Sequence, residues 1–363
     1  MTTAAVPTAV LAMTGQSIWV DNITRAMLGG QLQEYIAKWS VVGLTSNPTI
    51  FAKAIMGSKD YDAQVAELAA RGMSAEATFF ELALADLLHA CELFAGVHKR
   101  TGGVDGWCSL EVSPLLAYDA KSTVEQAVAL HARANRPNLF IKVPGTAAGV
   151  PAVEELTFRG VPINVTLLFS TEHWRASAEA YLRGLERRAA AGLSLDVASV
   201  GSLFISRWDS LLEAKLPATL KNRIGLAIGA DCYAEYVKLH ATDRWLALEG
   251  KGARPQRLLF ASTSTKDPAL PATLYAAGLA APRTVDTMPE ATLKAIHAGA
   301  PVTAVLPLDG GPLRAALAEA RAAGIDLDAA AAQLQEQGAK SFEQSWNDLL
   351  KDIAAKSGVL AAR

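Results

Sequence analysis

The sequence lacks the features that mark several classes of protein. Its three cysteines, Cys91, Cys108 and Cys232, show neither CxxC nor metal-ligand spacing in a chain of 363 residues. An odd and scattered set of cysteines predicts reduced thiols and a cytoplasmic location. The net charge of −2 gives no electrostatic reason to expect a nucleic-acid partner or an anionic membrane. No apolar run approaches the roughly 20 residues that a membrane span requires.

Motifs for cofactor and metal binding are also missing. No GxGxxG follows a predicted strand, as it would in a dinucleotide-binding open sheet. The six histidines all fall in predicted helices, so no cluster of metal ligands is visible and no metal is expected. The first residues, MTTAAVPTAVLAM, carry no Lys or Arg before their apolar part. This predicts a flexible N-terminus over residues 1–16 rather than a signal peptide.

The pattern that is present is an alternation of short apolar strands with helices. Hydrophobic residues make up 51% of the chain, which is enough for a large core. The segments with the pattern of strands are Ser17–Asp21, Val41–Asn47, Trp107–Val112, Asn138–Val143, Pro162–Phe169, Asp196–Val200, Gln256–Ser262 and Arg283–Thr287. This alternation predicts an α/β fold, and the number of units fits a (β/α)8 TIM barrel. A doubly wound open sheet is the alternative, which the missing glycine motif disfavours.

Helices complete the predicted fold, with additional helices after the second and sixth strands. The helix over Leu203–Leu212 follows the sixth strand directly, and Ile224–Leu246 is the additional helix after it. The C-terminal tail predicts three helices, Gly311–Ala323, Leu327–Gln335 and Ser341–Lys356. Phe342 and Trp346 in this tail favour docking over a free end. We therefore expect one domain over residues 1–363, with residues 301–363 forming a helical tail packed on the barrel.

Lys142 is the most unusual residue in these strands. It lies in the apolar run Asn138–Val143, which has the pattern of a strand buried on both faces. Lysine is rarely buried without a charged partner or a functional role. Burial disfavours the ammonium group, and a neutral amine is a nucleophile that forms a Schiff base with a carbonyl. The alternative is that Lys142 lies at the strand end and reaches solvent.

Neighbouring strands also place polar side chains on one face. Residues i and i+2 of a strand face the same side, so the apolar members would pack on helices and the polar members would face the barrel interior. The inward polar residues are Thr45, Asn47, Ser109, Glu111, Asn164 and Thr166, with Asp21 at the end of the first strand. Barrel enzymes place their active sites at the carboxyl ends of the strands. Together with Lys142, this set predicts an active site.

Each of these residues also has a simpler interpretation when it is taken alone. Asn47-Pro48 is typical of a turn, and Asp21 could serve only as a cap for the following helix. Glu111 could serve only as a salt-bridge partner of Lys142. These simpler interpretations weaken when all of them must hold at the same time.

The residue types suit Schiff-base chemistry. The lysine would attack a carbonyl, and Asn47 and Asn164 would hydrogen-bond the carbinolamine. Glu111, with a water held by Thr166, would supply the acid and base for dehydration. Asp21 is the candidate base for the hydroxyl group next to the carbon–carbon bond that breaks, since two carboxylates in different environments can do different work.

The sixth and seventh strands are followed by small hydroxyl residues and one cation each. These segments are Ser199–Arg207 and Ser262–Lys266. A phosphate there would accept backbone N–H groups at helix N-termini and charge-assisted bonds from Arg207 and Lys266. Loops after late strands of a barrel often bind phosphate. The alternative is a pair of capped helices with surface charges.

Seven motifs in this order resemble transaldolase, in the longer form found in many bacteria. They are WVDNITRAML, GLTSNPTIF, LEVSP, FIKVPGT, INVTLLFS, SLFISRWD and FASTSTK. The resemblance extends from Ser17 to Ala295 and implies a class I, Schiff-base enzyme of the non-oxidative pentose phosphate pathway that needs no metal or cofactor. Such enzymes transfer a dihydroxyacetone unit from sedoheptulose 7-phosphate to glyceraldehyde 3-phosphate, giving erythrose 4-phosphate and fructose 6-phosphate. Small sugar phosphates are therefore the expected partners.

The resemblance also implies roles for individual residues. Lys142 would carry the Schiff base, Glu111 would act as acid/base through water, and Asp21 would handle the proton of carbon–carbon cleavage. Further matched residues would bind the intermediate, the water or the phosphate: Asn47, Asn164, Thr166, Ser202, Arg207 and Ser262. In shorter relatives an arginine follows the last of these serines by two, where this chain has Ser264. We assign the missing charge to Lys266.

Two other functions stay open at this point. A free aldolase on the same scaffold would cleave fructose 6-phosphate and release dihydroxyacetone without an acceptor, although Glu111 together with Asn164 favours transfer. A catalytically inactive barrel that only binds sugar phosphates would require the loss of a catalytic residue. Asn22 stands beside Asp21 where an acid is common, and we expect little effect from it. The expected assembly is a monomer or a homodimer.

Overall fold

The computed structural model describes residues 7–300, 302 and 305–361. Its centre is a closed barrel of eight parallel strands, in which the last strand pairs with the first. The strands are β1 (Ser17–Asp21), β2 (Val41–Thr45), β3 (Trp107–Glu111), β4 (Leu139–Pro144), β5 (Ile163–Leu168), β6 (Ser199–Phe204), β7 (Gln256–Ala261) and β8 (Val285–Met288). The prediction of a (β/α)8 barrel is confirmed.

Helices follow the strands along the chain. Those in the described part are α1 (Pro7–Met13), α2 (Leu32–Lys38), α3 (Pro48–Gly57), α4 (Asp62–Ala70), α5 (Ala75–Arg100), α6 (Ala120–Ala134), α7 (Val150–Arg159), α8 (Thr171–Ala190), α9 (Arg207–Leu212), α10 (Ile224–Leu239), α11 (Asp243–Glu249), α12 (Leu274–Gly278), α13 (Glu290–His297), α14 (Ala315–Ala322) and α15 (Leu327–Ala361). Short turns of other helix types occupy Met27–Gln31, Pro114–Leu116, Ala218–Leu220 and Gly311–Arg314. Among the described helices, none is both long and apolar enough to cross a membrane.

The central strands show why the barrel forms and how it places polar groups. Every residue of β4 and β5 is buried, as expected for parallel strands that are covered on both faces. The strands are in register, so that Lys142 lies beside Asn164 of β5 and beside Glu111 of β3. The register therefore brings the polar residues of three adjacent strands to one level of the barrel.

The sixth strand differs from its prediction. The sequence predicts a strand over Asp196–Val200 and a helix from Leu203, but β6 and α9 both begin later. β6 pairs with β7 along its whole length, and Gly201 lies so close to Trp174 that a Cβ atom would come within 3.0 Å of its ring. Small residues that fit this contact weaken the apolar signal of the strand. As a result, Ser202 lies within β6 rather than after it.

The prediction of a flexible N-terminus over residues 1–16 is wrong for the part that the structure describes. Helix α1 begins at Pro7 and contacts α13 and β1. Thr8 and Leu11 are both fully buried. They lie three residues apart and therefore on one face of the helix, which this contact covers. Residues 1–6 lie outside the described residues.

The C-terminal tail ends in one long helix rather than in two separate segments. Helix α15 extends over 35 residues and packs on α3, α4 and α5. The predicted break does not occur at Gly338, where a Cβ atom would come within 3.1 Å of the Leu167 side chain. The glycine therefore allows a close approach instead of ending the helix. This docking supports the interpretation of residues 1–363 as one domain, which stays a prediction; residues 301, 303, 304, 362 and 363 lie outside the described residues.

Candidate active site

A cavity of about 180 Å³ lies where the carboxyl ends of the strands meet. Most of the predicted site residues line it: Asp21, Asn47, Lys142, Thr166, Ser202, Arg207, Ser262 and Lys266. The two others, Glu111 and Asn164, are buried behind this wall and form hydrogen bonds to its members. The structure thus brings all of the predicted residues into one cluster, while their individual roles stay predictions.

A larger cavity, of about 530 Å³, lies at the opposite end of the barrel. Arg257 lines it, and its guanidinium donates to Ser17 Oγ at 2.6 Å, to the Thr284 carbonyl at 2.8 Å and to the Asp105 carboxylate at 3.0 Å. These bonds connect Arg257 in β7 to the beginnings of β1 and β8 and to the segment just before β3. The amino ends of barrel strands serve stability rather than catalysis, so this cavity is not the candidate site despite its size.

Lys142 lies at the base of the smaller cavity. Its Nζ atom is 3.1 Å from Glu111 Oε2 and 3.4 Å from the Ser46 carbonyl oxygen. Each of the side chains of Lys142 and Glu111 is only 7% exposed. The alternative in which Lys142 reaches solvent is therefore wrong. The lysine is held in a buried position with the Glu111 carboxyl group beside its Nζ atom.

The two carboxyl groups of the site have perturbed acidity. Burial raises the pKa of Glu111, the charge of Lys142 opposes this shift, and the charge of Asp21 adds to it. Burial likewise raises the pKa of Asp21, while Lys142 and a hydrogen bond from Thr45 oppose the shift. The charge of Lys142 thus acts on both carboxyl groups. This arrangement favours retention of a proton in the site, which is what acid/base chemistry requires.

Asp21 ends β1 and faces the cavity. Thr45 Oγ1 donates a hydrogen bond to Asp21 Oδ1 at 2.9 Å and lies 2.5 Å from Thr287 Oγ1. The cap of the following helical segment comes instead from Thr24, whose hydroxyl accepts the N–H of Met27. The interpretation of Asp21 as only a helix cap is therefore wrong, and a chain of hydroxyl groups orients its carboxylate.

Asn164 and Thr166 project inward from β5, as predicted. Asn164 is fully buried, donates through Nδ2 to Ser109 Oγ at 3.2 Å and accepts from Ser202 Oγ at 2.7 Å. Thr166 Oγ1 is buried and has no hydrogen-bond partner among the described residues. A buried hydroxyl group of this kind requires a partner, and a water or substrate oxygen in the cavity would supply it.

Asn47 caps a helix and also lines the cavity. It is the N-cap of α3, and its side-chain oxygen accepts the backbone N–H of Ile50 at 3.0 Å, with Pro48 at the first helical position. The local interpretation of Asn47-Pro48 is thus correct in part, although the pair begins a helix that the sequence did not predict. The cap uses the oxygen, so the amide N–H2 group is left as a donor on a residue that lines the cavity.

Cations and hydroxyl groups gather after the ends of β6 and β7. Arg207 begins α9, lies 5.3 Å from the Phe204 ring and forms no salt bridge with any carboxylate of the described residues. Burial lowers the pKa of Arg207 from its ordinary value. Ser262 has a positive φ of 56° and its Oγ lies 2.9 Å from Ser206 Oγ. Lys266 is exposed at the rim. This group of donors has the composition of a phosphate site.

Comparison with known proteins decides the family. The profile of the family described as Transaldolase/Fructose-6-phosphate aldolase matches residues 18–353. The chain belongs to this family. The chain is also 44% identical to the transaldolase of Frankia alni over 365 residues, which cover 97% of this chain and 98% of the relative. It is 43% identical to the transaldolase of Neisseria gonorrhoeae over 341 residues, covering 93% and 97%. The resemblance to transaldolase drawn from the motifs is confirmed.

Within this transaldolase framework, the structure adds site residues that the sequence did not single out. Thr287, Phe204 and Phe342 line the cavity together with the predicted residues. Thr287 ends up beside Thr45 only because β8 closes the barrel against β1. Phe342 comes from α15, far along the chain. The tail aromatics were expected to dock, but no local pattern indicated that one of them enters the site.

Asn22 has a partner that the sequence did not reveal. Its Nδ2 group donates to Glu290 Oε2 at 3.3 Å, and Tyr35 and Lys294 contact the other oxygen of the same carboxylate. An ionised aspartate at this position would meet Glu290 with a like charge. The expectation that Asn22 has little effect stays a prediction, and the contact shows how it can be tested.

Proposed function

We propose that the protein is a transaldolase that moves a dihydroxyacetone unit from sedoheptulose 7-phosphate to glyceraldehyde 3-phosphate through a Schiff base on Lys142. The products are erythrose 4-phosphate and fructose 6-phosphate. The observation that carries this proposal is the buried Lys142 Nζ, 3.1 Å from Glu111 Oε2 in a cavity at the carboxyl end of the barrel. The membership of the family and the transaldolases that match nearly the whole chain support it.

In the proposed reaction, the neutral amine of Lys142 adds to the ketone and forms a carbinolamine. Glu111 and a water bound at Thr166 transfer the protons with which one water molecule leaves, giving the Schiff base. Asp21 then takes the proton of the neighbouring hydroxyl group as the carbon–carbon bond breaks and the aldehyde product leaves. Asn47 and Asn164 hold the hydroxyl groups of the three-carbon unit. Its attack on the acceptor aldehyde reverses these steps.

The phosphate would bind where the segments after β6 and β7 meet the cavity. Arg207 is the main candidate because it is half-buried and has no ion pair in the described part of the chain. Ser202 and Ser262 add hydroxyl donors, and Lys266 supplies the charge that the shorter relatives carry nearer to the serine. A fixed arginine fork suits phosphate better than the mobile ammonium group at the rim.

A second function is a fructose-6-phosphate aldolase that releases free dihydroxyacetone, because the family description names both activities. The formation of dihydroxyacetone in the absence of an acceptor would support it. An inactive binding barrel is disfavoured by the presence of Lys142, Glu111 and Asp21 in one cluster. We further propose a cytoplasmic monomer or homodimer that acts on sugar phosphates, with no cofactor, metal, nucleic acid or membrane in its reaction.

Trapping of the intermediate tests this function. Borohydride added together with fructose 6-phosphate should attach a three-carbon adduct to Lys142, and peptide mass spectrometry locates it. Lys142→Ala should form no adduct and lose essentially all turnover. Lys38→Ala is the matched control, because Lys38 ends α2 at the opposite end of the barrel and is 70% exposed. An adduct on another peptide, or none in the unaltered protein, would contradict the mechanism.

A further inference from the structure

Helix α15 is attached to the two strands that carry the reactive groups. Gln335 Nε2 donates to the Leu167 carbonyl at 2.9 Å and to the Gly145 carbonyl at 3.2 Å. Leu167 directly follows Thr166 in β5, and Gly145 directly follows the end of β4. One side chain of the helix thus holds the backbone of both strands beside the cavity.

Phe342 lies about two turns further along the same helix, and therefore on the same face. Its side chain is almost fully buried and lines the cavity. The centre of its ring lies 5.6 Å from Lys142 Nζ and 6.3 Å from the centre of the Phe204 ring. Trp346, one turn beyond on the same face, packs against Phe79 with 4.8 Å between the ring centres and helps to fix the helix.

Through these contacts, the C-terminal helix contributes to an apolar wall next to Lys142 Nζ. The wall consists of Phe342 from α15 and Phe204 from β6. The rest of the cavity lining includes the polar groups Asp21, Asn47 and Thr166. Water that approaches Lys142 Nζ from the side of α15 therefore meets aromatic carbon atoms, which offer it no hydrogen bond. An active site that excludes water in this way suppresses the hydrolysis of a reactive intermediate.

We propose that Phe342 is a specificity-determining residue, which shields the three-carbon unit on Lys142 from water until an acceptor aldehyde arrives. This inference rests on the proposed transaldolase function. After the carbon–carbon bond breaks, the unit stays on Lys142 as an enamine. Attack on an aldehyde forms a new carbon–carbon bond. Protonation of its carbon followed by addition of water to the iminium carbon gives a carbinolamine instead, which releases dihydroxyacetone and returns the amine.

The ratio of these two outcomes tests the proposal. The assay supplies fructose 6-phosphate with and without erythrose 4-phosphate and measures free dihydroxyacetone against sedoheptulose 7-phosphate. For Phe342→Ala the ratio of release to transfer should rise by on the order of tenfold, because water gains access to the iminium carbon. Phe342→Leu keeps apolar bulk at the position and should restore most of the original ratio.

Two further variants separate shielding from a general loosening of the helix. Leu349→Ala is the matched control, since Leu349 is fully buried on the same helix but does not line the cavity. It should lower stability without changing the ratio. Gln335→Ala removes the attachment of α15 to β4 and β5, so it should also raise the ratio of release to transfer. This variant takes the place of Phe342→Ala in the assay if Phe342→Ala does not fold.

Different results would contradict the role of Phe342 and the proposed transaldolase function. An unchanged ratio in Phe342→Ala, or an equal rise in Leu349→Ala, would overturn the role of Phe342 even if borohydride still attaches the adduct to Lys142. If the unaltered protein forms no adduct, the proposed function itself fails. Loss of turnover in Phe342→Ala with the adduct retained and the ratio unchanged also counts against shielding.

Discussion

Asp286 gives the strongest prediction about pH. It lies in β8, is fully buried, and accepts a hydrogen bond from Thr263 Oγ1 through Oδ1 at 2.9 Å. The other carboxyl oxygen is buried without a hydrogen-bond partner among the described residues. Burial raises the pKa of Asp286 from 3.8 to about 7, although the bond from Thr263 opposes this shift. The folded protein therefore keeps a proton that the unfolded chain has lost.

The sign and the size of the effect follow from this difference. Between the two pKa values the folded state binds more protons than the unfolded state, so the free energy of unfolding falls as the pH rises. A shift of about three pKa units corresponds to about 4 kcal/mol, lost mostly between pH 4 and pH 7. Asp286→Asn has no such proton to lose. Its amide oxygen can still accept the hydrogen bond from Thr263, the residue that follows Ser262 in the chain.

Urea unfolding across this pH range measures the effect. The free energy of unfolding of Asp286→Asn, relative to that of the unaltered protein, should rise by about 4 kcal/mol from pH 4 to pH 7. Asp352→Asn removes an exposed carboxylate and is the control, whose curve should run parallel to that of the unaltered protein. Parallel curves for Asp286→Asn as well would refute the argument that Asp286 is buried as a protonated acid.

Two smaller predictions concern the phosphate side and the surroundings of Asp21. Lys266→Ala should raise KM for phosphorylated substrates severalfold and leave kcat nearly unchanged, because the ammonium group lies exposed at the rim. Arg207→Lys should raise KM by roughly tenfold or more, because it loses the planar guanidinium fork. An unchanged KM in either variant would show that the altered residue does not bind the phosphate. Asn22→Asp should lower the free energy of unfolding by about 1 kcal/mol at pH 7, since it replaces a hydrogen bond to Glu290 with a like charge. Equal urea midpoints for this variant and the unaltered protein would show that the contact contributes nothing.

The barrel and most of the candidate site could be predicted because the physical rules involved are local. Parallel strands that are buried on both faces give continuous apolar runs, so a polar residue within a run stands out. The period of two along a strand then places Glu111, Asn164 and Thr166 on the inner face with Lys142. The structure confirms these positions, and register between adjacent strands brings Glu111 and Lys142 into contact.

The remaining features depend on contacts between distant parts of the chain. The bond between Thr45 and Thr287 exists only because β8 pairs with β1, which closes the barrel. The start of β6 is set by its pairing with β7 rather than by its own small residues. Gly338 resembles a helix break in the sequence, yet it permits the contact with β5 that carries Phe342 into the site. The local periodicity of the sequence does not indicate which surface of the barrel the C-terminal tail will cover.

The arrangement of charges also bears on how the lysine becomes a nucleophile in the proposed reaction. Asp21 and Glu111 each have a raised pKa because of burial, and the charge of Lys142 is what opposes that rise in both. If a proton passes from Nζ to Glu111 across their 3.1 Å contact, the amine becomes neutral and the carboxyl group takes a form that burial favours. The neutral amine then attacks the substrate carbonyl. The iminium that follows restores a cation between the two carboxyl groups, so that Glu111 can again give up its proton. In the proposed reaction, proton transfer between Lys142 and Glu111 and formation of the Schiff base are therefore coupled through the charges of the site.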